Sequence, residues 1–242
     1  ICSKNFLPTS MLFPISGNAF QSRRFRMQSE MPLSRKKQLW ARVVKEKLKN
    51  QASALQRVGE ESSAKRLNQM IRRVRSGDPD NFEAQAARAY WPALMGKEFR
   101  RRQEEPGANG LLNYGYTIIR SCMARAIVGA GLHPTLGIRH MGPTNPMCLV
   151  DDFMEPYRPI CDLATNFLLA KNIREVDRGA KKALANMTLL ELPSIGGSST
   201  LFNAMTDFVL SFIESVEKGP KFLISPGLPS KISFSGLMQS DA

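Results

Sequence analysis

A mainly α fold is what this 242-residue sequence predicts, and three stretches predict it. Over residues 33–58 the apolar positions Leu39, Trp40, Val43, Val44, Leu48, Leu55 and Val58 recur at the spacing of an amphipathic helix. Leu67, Met70, Ile71 and Val74 repeat that pattern in a second segment. Residues 109–130 are long, mostly apolar and rich in small side chains, the mark of a buried central helix. A chain of this length buries a substantial core, as one large domain or two smaller ones.

Taken in order, residues 1–18 are short apolar pieces cut by Pro and Gly, and they read as strand and turn at the edge of a β element. In the first helix Arg35, Lys36, Lys37, Arg42, Lys45, Lys47 and Lys49 fill the faces away from the apolar stripe. Lys65, Arg66, Arg72, Arg73 and Arg75 do the same in the second. Gly77-Asp78-Pro79 breaks the pattern, and Asp80-Asn81-Phe82-Glu83 opens a third helix in which Asp80 and Glu83 have capping-box spacing. Arg100, Arg101 and Arg102 form a basic cluster in the loop after it. In the central helix Tyr114 and Tyr116 suit base stacking or a core, and a helical stripe favours the core.

The next stretch, residues 131–162, contains both histidines, His133 and His140, then a Pro/Gly-rich loop, then Asp151, Asp152 and Glu155. Residues 136–140 read as short strand or loop. A helix is expected over 148–171, kinked where Pro156 and Pro159 lack a backbone donor. On it Asp152 and Glu155, three apart, would share a face. Residues 173–192 are charged and helix-prone, 196–200 read as a loop, and Thr200 is placed to cap a last helix over 201–216. Residues 221–224 read as a strand, followed by a loose tail.

The formal net charge is +13, and all of the excess lies in the first half: 23 Lys+Arg face 10 Asp+Glu up to Ser121, and 11 face 11 after it. That asymmetry points to a polyanion partner, against the alternative of a solvated basic helix surface. Cys2, Cys122, Cys148 and Cys161 are scattered, so neither a zinc site nor a disulfide framework is indicated, and a reduced cytoplasmic location is expected. No stretch is apolar enough for a membrane span, and the start does not read as a signal peptide.

Two carboxylates and an imidazole from separate segments suit a divalent cation, and oxygen-rich ligation favours Mg2+ or Mn2+ over zinc. No P-loop, GxGxxG or HExxH is present. Three plainer readings stand beside this one: Glu83 as a helix cap, His140 as a loop histidine, and Glu155 paired with Arg158.

The runs GDPDNFEAQAARAYWPALMG, NGLLNYGYTIIRSCMARAIVGAGLHPTLGIRH and LVDDFMEPYRPICD, in that order, resemble a CRISPR-associated family. It is the adaptation endonuclease or "Cas one" integrase, in its type II branch. Upstream, LPTSMLFPISGNAFQSRRFR and KKQLWARVVKEKLKNQA are similar to that family's lead into its helical domain. The resemblance implies a helical catalytic domain of the Cas-one type over 28–229. It implies a remnant of an N-terminal β domain with its linker over 1–27, most of that domain lying upstream of Ile1. Residues 230–242 have no counterpart and are expected to be a disordered tail.

The implied activity is that of a metal-dependent DNA endonuclease and integrase, which inserts new spacers into a CRISPR array in antiviral defence. The implied metal ligands and catalytic residues are Glu83, His140 and Glu155, with Asp152 as the supporting carboxylate. The implied partners are double-stranded DNA (prespacer and CRISPR repeat), the "Cas two" protein, a second copy through the β domain, and the type II effector complex. Arg35, Lys36, Arg72, Arg73, Arg100, Arg101 and Arg102 are the candidates for the DNA backbone, and Arg88 for a phosphate near the metal. The rival readings are a non-catalytic helical DNA-binding or scaffolding subunit and a generic metal-dependent nuclease on branched DNA.

Overall fold

The computed structural model describes residues 10, 20–194, 197–224, 227–228 and 234–238. Its elements are α1 (Gln21–Ser29), α2 (Leu33–Arg57), α3 (Glu61–Arg73), α4 (Phe82–Met95), α5 (Ala108–Gly129), α6 (Cys148–Met154), α7 (Arg158–Ala170), α8 (Arg178–Asn186) and α9 (Leu201–Lys218). A hairpin of β1 (Glu191–Ser194) and β2 (Gly197–Thr200) is antiparallel, with Glu191 opposite Thr200. The fold is mainly α, as the periodicity requires. Among the described residues no helix is long and apolar enough to cross a membrane.

Two helices organise the packing. In α2, Leu39, Trp40, Val43, Val44, Leu48 and Leu55 are all buried, and the helix lies against α3, α4 and α7. Val58, expected on the same stripe, is exposed because α2 ends at Arg57. The second organiser, α5, packs against α6, α7, α8 and α9. Its close approach to α7 rests on Gly115, where a Cβ would collide with the Cys161 sulfur. Tyr116 is buried here, in line with the core reading.

Three local features differ from the sequence expectation. The stretch read as a loop over 196–200 contains β2, which pairs with β1 although Pro193 and the Gly/Ser run show no strand alternation. Residues 221–224, read as a strand, instead begin inside a 3-10 turn at Pro220–Phe222, which Pro at the first position favours, and continue without regular structure. The helix expected over 148–171 is interrupted by a 3-10 turn at Glu155–Tyr157, where the proline kink is expected, and the backbone stays helical through it. Thr200 does cap α9, accepting the Asn203 N–H.

The strand and turn expected over residues 1–18 lie outside the described residues, Ser10 apart. Gln21–Ser29, across the expected boundary at residue 28, is helix α1. Buried Gln28 fastens that helix to the following core, accepting the His133 N–H at 2.7 Å and donating to its carbonyl. Of the expected loose tail, Leu228 donates its N–H to Asn50 and Ser235–Met238 forms a 3-10 turn with Leu237 buried; residues 225–226, 229–233 and 239–242 lie outside the described residues.

Candidate functional site

Glu83 stands at the start of α4, and the capping box expected there does not form. Asn81 is the N-cap, in the left-handed region, and accepts the Ala84 N–H. Asp78 takes the N–H groups of Phe82 and Glu83, and Asp80 pairs instead with Arg75. The turn before the helix is tied to α2 by a hydrogen bond from Gly77 N–H to the Lys37 carbonyl at 2.8 Å. Freed from capping, the Glu83 carboxylate reaches across to α2, where Lys47 Nζ lies 2.7 Å from its Oε1.

The same ammonium meets Glu155. Lys47 Nζ stands 2.5 Å from Glu155 Oε2, and Arg158 Nε donates to Glu155 Oε1 at 2.8 Å. The 3-10 turn bearing Glu155 is pinned to α2 by Asn50, which donates to the Pro156 carbonyl at 2.7 Å. The Glu155 side chain is only 5% exposed, and its Oε2, though close to the ammonium, receives no aligned hydrogen bond. Burial pushes the Glu155 carboxyl up, and the charges of Lys47 and Arg158 more than reverse this, holding it below the usual range. Burial likewise pulls Lys47 down, and the charges of Glu155 and Glu83 raise it above its ordinary value.

Asp152 and Glu155 take different partners. The helix stops at Met154, and Asp152 turns to the preceding loop while Glu155 turns to α2. Asp152 is completely buried, with Oδ2 accepting the N–H groups of Ile138 and Arg139 and Oδ1 the N–H of His140. It also holds His140 Nδ1 at 2.7 Å. That bond, more than the nearby charges, raises the His140 pKa above its ordinary value, against a smaller lowering by burial. It leaves Nε2 as the ring nitrogen for another ligand, as carboxylate-backed histidine ligands require. The His140 ring rests edge-on against Trp40, two turns before Lys47 on α2, so it lies on the same side of the core as the carboxylates. His133 is turned elsewhere, to Thr135 and Phe25.

Two acids from distant segments therefore converge on one cation, with a carboxylate-backed imidazole on the same side. Among the described residues no three His, Cys, Asp or Glu side chains stand close enough for one metal ion, and Lys47 occupies the space between the two acids. The donor chemistry still suits a hard dication: two carboxylates, one with a buried oxygen lacking an aligned donor, and one imidazole nitrogen.

A cleft of about 470 Å³ adjoins His140, with Arg101, Arg120 and Arg158 along its wall. Arg101 is braced by the side-chain carbonyls of Asn109 and Asn113, and Arg120 by a bidentate pair with Asp151. The other candidate DNA contacts lie outside its lining. Arg72, Arg73 and Arg88 are exposed, and Lys36 lines a separate loop pocket with Gly137 and Cys148. Arg35 reaches the Ser215 carbonyl, Arg100 bonds carbonyls of its own loop, and Arg102 pairs with Glu105.

A family model described as CRISPR associated protein Cas1 matches residues 8–189. The chain belongs to the Cas1 family. The CRISPR-associated endonuclease Cas1 of Neisseria meningitidis serogroup C (strain 8013) is 40% identical over 162 residues, 67% of this chain and 53% of that protein. A Cas1 endonuclease of Pyrobaculum aerophilum is 33% identical over 135 residues, 52% of this chain and 45% of its own. This Cas1-family chain spans about half the length of the curated relatives it matches. Among solved structures, a chain of a partial Cas6-RT-Cas1–Cas2 complex superposes with a TM-score of 0.72 at 17% identity, over 91% of this chain and 77% of that one. A casposase bound to its integration product gives 0.65 at 16% identity, over 99% and 78%. At such identities these likenesses bear on the fold, the helical Cas1 one.

Residue-type reasoning missed Lys47, Arg120 and Asp162. Lys47 carried a signal: it lies three after Val44, seven after Trp40 and beside Leu48, within the buried stripe of α2 rather than on a solvated face.

Proposed function

We propose that this chain is the catalytic part of a type II Cas1 integrase, a metal-dependent DNA endonuclease that inserts spacers by 3′-hydroxyl attack on a repeat phosphodiester. The observation that carries the reading is the meeting of Glu83 and Glu155, 72 residues apart, at one cation position. A divalent ion, Mg2+ or Mn2+, supplies Lewis-acid polarisation of a phosphodiester when bound there. Glu83 and Glu155 offer its carboxylate ligands, and His140 offers Nε2 with the ring fixed by Asp152. Arg101, Arg120 and Arg158 along the cleft suit phosphate oxygens, since guanidinium forks match that geometry. No enzyme nucleophile is assigned, for burial raises the thiols of Cys122, Cys148 and Cys161 and keeps them protonated.

Support for the partners comes from the likeness to Cas1–Cas2 assemblies, and the basic first half supports a polyanion, which this reading takes to be double-stranded DNA. Dimerisation and contact with the type II effector complex belong to the same reading.

The test is a repeat-containing duplex assayed for hydrolysis and for strand transfer, with Mn2+ and with chelator. Glu155→Ala abolishes both activities and leaves salt-sensitive DNA binding nearly intact. Cleavage surviving that change removes the assigned site. Hydrolysis without strand transfer in the unaltered chain supports the generic-nuclease reading, and DNA binding with neither activity supports the scaffolding one.

A further inference from the structure

We infer that Lys47 is a resident counter-ion for Glu83 and Glu155, one that holds the two acids together without metal and yields its place when a divalent cation binds. The inference rests on the metal-site reading above and adds to it how the site is kept and loaded.

The geometry leaves little alternative to exchange. Lys47 Nζ is 2.7 Å from Glu83 Oε1 and 2.5 Å from Glu155 Oε2. A dication ligating both acids must come within about 2 Å of such oxygens, so it claims the space that the ammonium fills. Glu83 pairs with no other cation among the described residues, so removing the ammonium sets two acids against each other in a mostly buried place.

What moves is the side chain rather than the helix. Trp40, Val43, Val44 and Leu48 lock α2 into the core around Lys47, and Asn50 fastens it to the Glu155 turn. The lysine stem carries four rotatable carbons, whereas Arg158 donates to Glu155 from the Nε of a planar guanidinium stacked on Tyr116 and stays in place. Of the two acids Arg158 pairs only with Glu155, and its guanidinium also lies over the Tyr116 ring, so it can remain beside a ligated carboxylate; Lys47 bridges both acids and cannot.

The test compares the unaltered chain with Lys47→Gln, which keeps a polar stem without the charge, and Lys47→Arg, which keeps the charge. Mn2+ affinity is measured by calorimetry, and melting temperature is measured in chelator and in Mn2+. Lys47→Gln is expected to melt lower in chelator, to recover in Mn2+, and to bind Mn2+ at least about tenfold more tightly, within the usual range of site coupling. Lys47→Arg is expected to show no tightening.

A second measurement needs no variant. Labelling by an amine-reactive ester, read by mass spectrometry, is expected to spare Lys47 in chelator and to modify it in saturating Mg2+. If the unaltered chain binds Mn2+ but Lys47→Gln binds it no more tightly, or if Lys47 stays protected in Mg2+, the lysine is purely structural and the inference fails. If neither chain binds Mn2+, the metal-site reading falls first and the inference falls with it.

Discussion

A Cβ built on Gly137 would stand 2.9 Å from Asp152 Oδ2 and 2.9 Å from the Cys148 Cβ, and closer still to the His140 carbonyl. The glycine lets the 138–140 loop lie flat on α6, so that three successive N–H groups reach one buried carboxylate. The position of His140 thus depends on a residue that carries no chemistry of its own.

Gly137→Ala is therefore expected to destabilise the fold by about 1–3 kcal/mol, the usual penalty for overpacking. It should also lift His140 away from Asp152. Chemical denaturation measures the first effect. A histidine NMR titration measures the second: the His140 pKa, raised mainly by its bond to Asp152, should fall back towards the ordinary value. An unchanged His140 titration would show that the loop tolerates the methyl and that the glycine is not what sets the imidazole.

How much of this was legible in the sequence depends on whether a feature is local. The stripe of α2 follows from spacing alone, since Leu39, Val43 and Leu48 need only a neighbour to bury against. The 3-10 interruption before α7 follows from Pro156 and Pro159, which remove backbone donors wherever they stand. The role of Glu83 does not follow locally. Asp80 and Glu83 have the letters of a capping box, and the structure discards it because Asp78, folded back in the left-handed region, already caps those N–H groups. Tertiary packing of α2 against α4, with the tie between Gly77 and Lys37, puts Glu83 opposite Lys47, and that arrangement is not written in any local window of sequence. The β hairpin escaped for a similar reason: β2 is held by its partner strand and not by any strand propensity of Gly-Ser-Ser-Thr.

Beneath the cleft, Asp162 is buried and accepts hydrogen bonds from the phenols of Tyr90, at 2.9 Å, and Tyr116. Burial raises its pKa to about 6, against a lowering by the two phenols and by Arg158. Because the folded value lies above the ordinary carboxylate value of 3.8, the folded state holds this proton more tightly than the unfolded one. Its contribution is complete below about pH 4 and is lost as pH rises through about 6. Asp162→Asn stays neutral and can still meet both phenols. Relative to the unaltered chain, the variant should gain stability between pH 4 and 7, by at most about 3 kcal/mol. Urea denaturation at half-unit pH steps checks this, and a difference that is flat across the window would mean that Asp162 ionises freely in the fold.

The basic surface supplies the last prediction, because the structure separates arginines that are committed from those that are available. Arg102 is held by Glu105, whereas Arg101 is braced only by the neutral amides of Asn109 and Asn113 and keeps its charge for the cleft. Arg72 on α3 and Arg88 on α4 are exposed and pair with no carboxylate among the described residues. An arginine that releases a counterion from a DNA phosphate adds about 0.9 to the slope of log affinity against log salt. Arg72→Gln and Arg88→Gln are each expected to reduce that slope by about that amount, with equal weakening on unrelated duplexes, since phosphate contacts carry no base information. Arg102→Gln should change it less, because Glu105 already neutralises that guanidinium. Fluorescence anisotropy over a sodium chloride series reads the slopes. If the slope is unchanged in both Arg72→Gln and Arg88→Gln, the DNA does not pass over α3 and the outer face of α4, and its phosphates must be held by the arginines of the cleft instead.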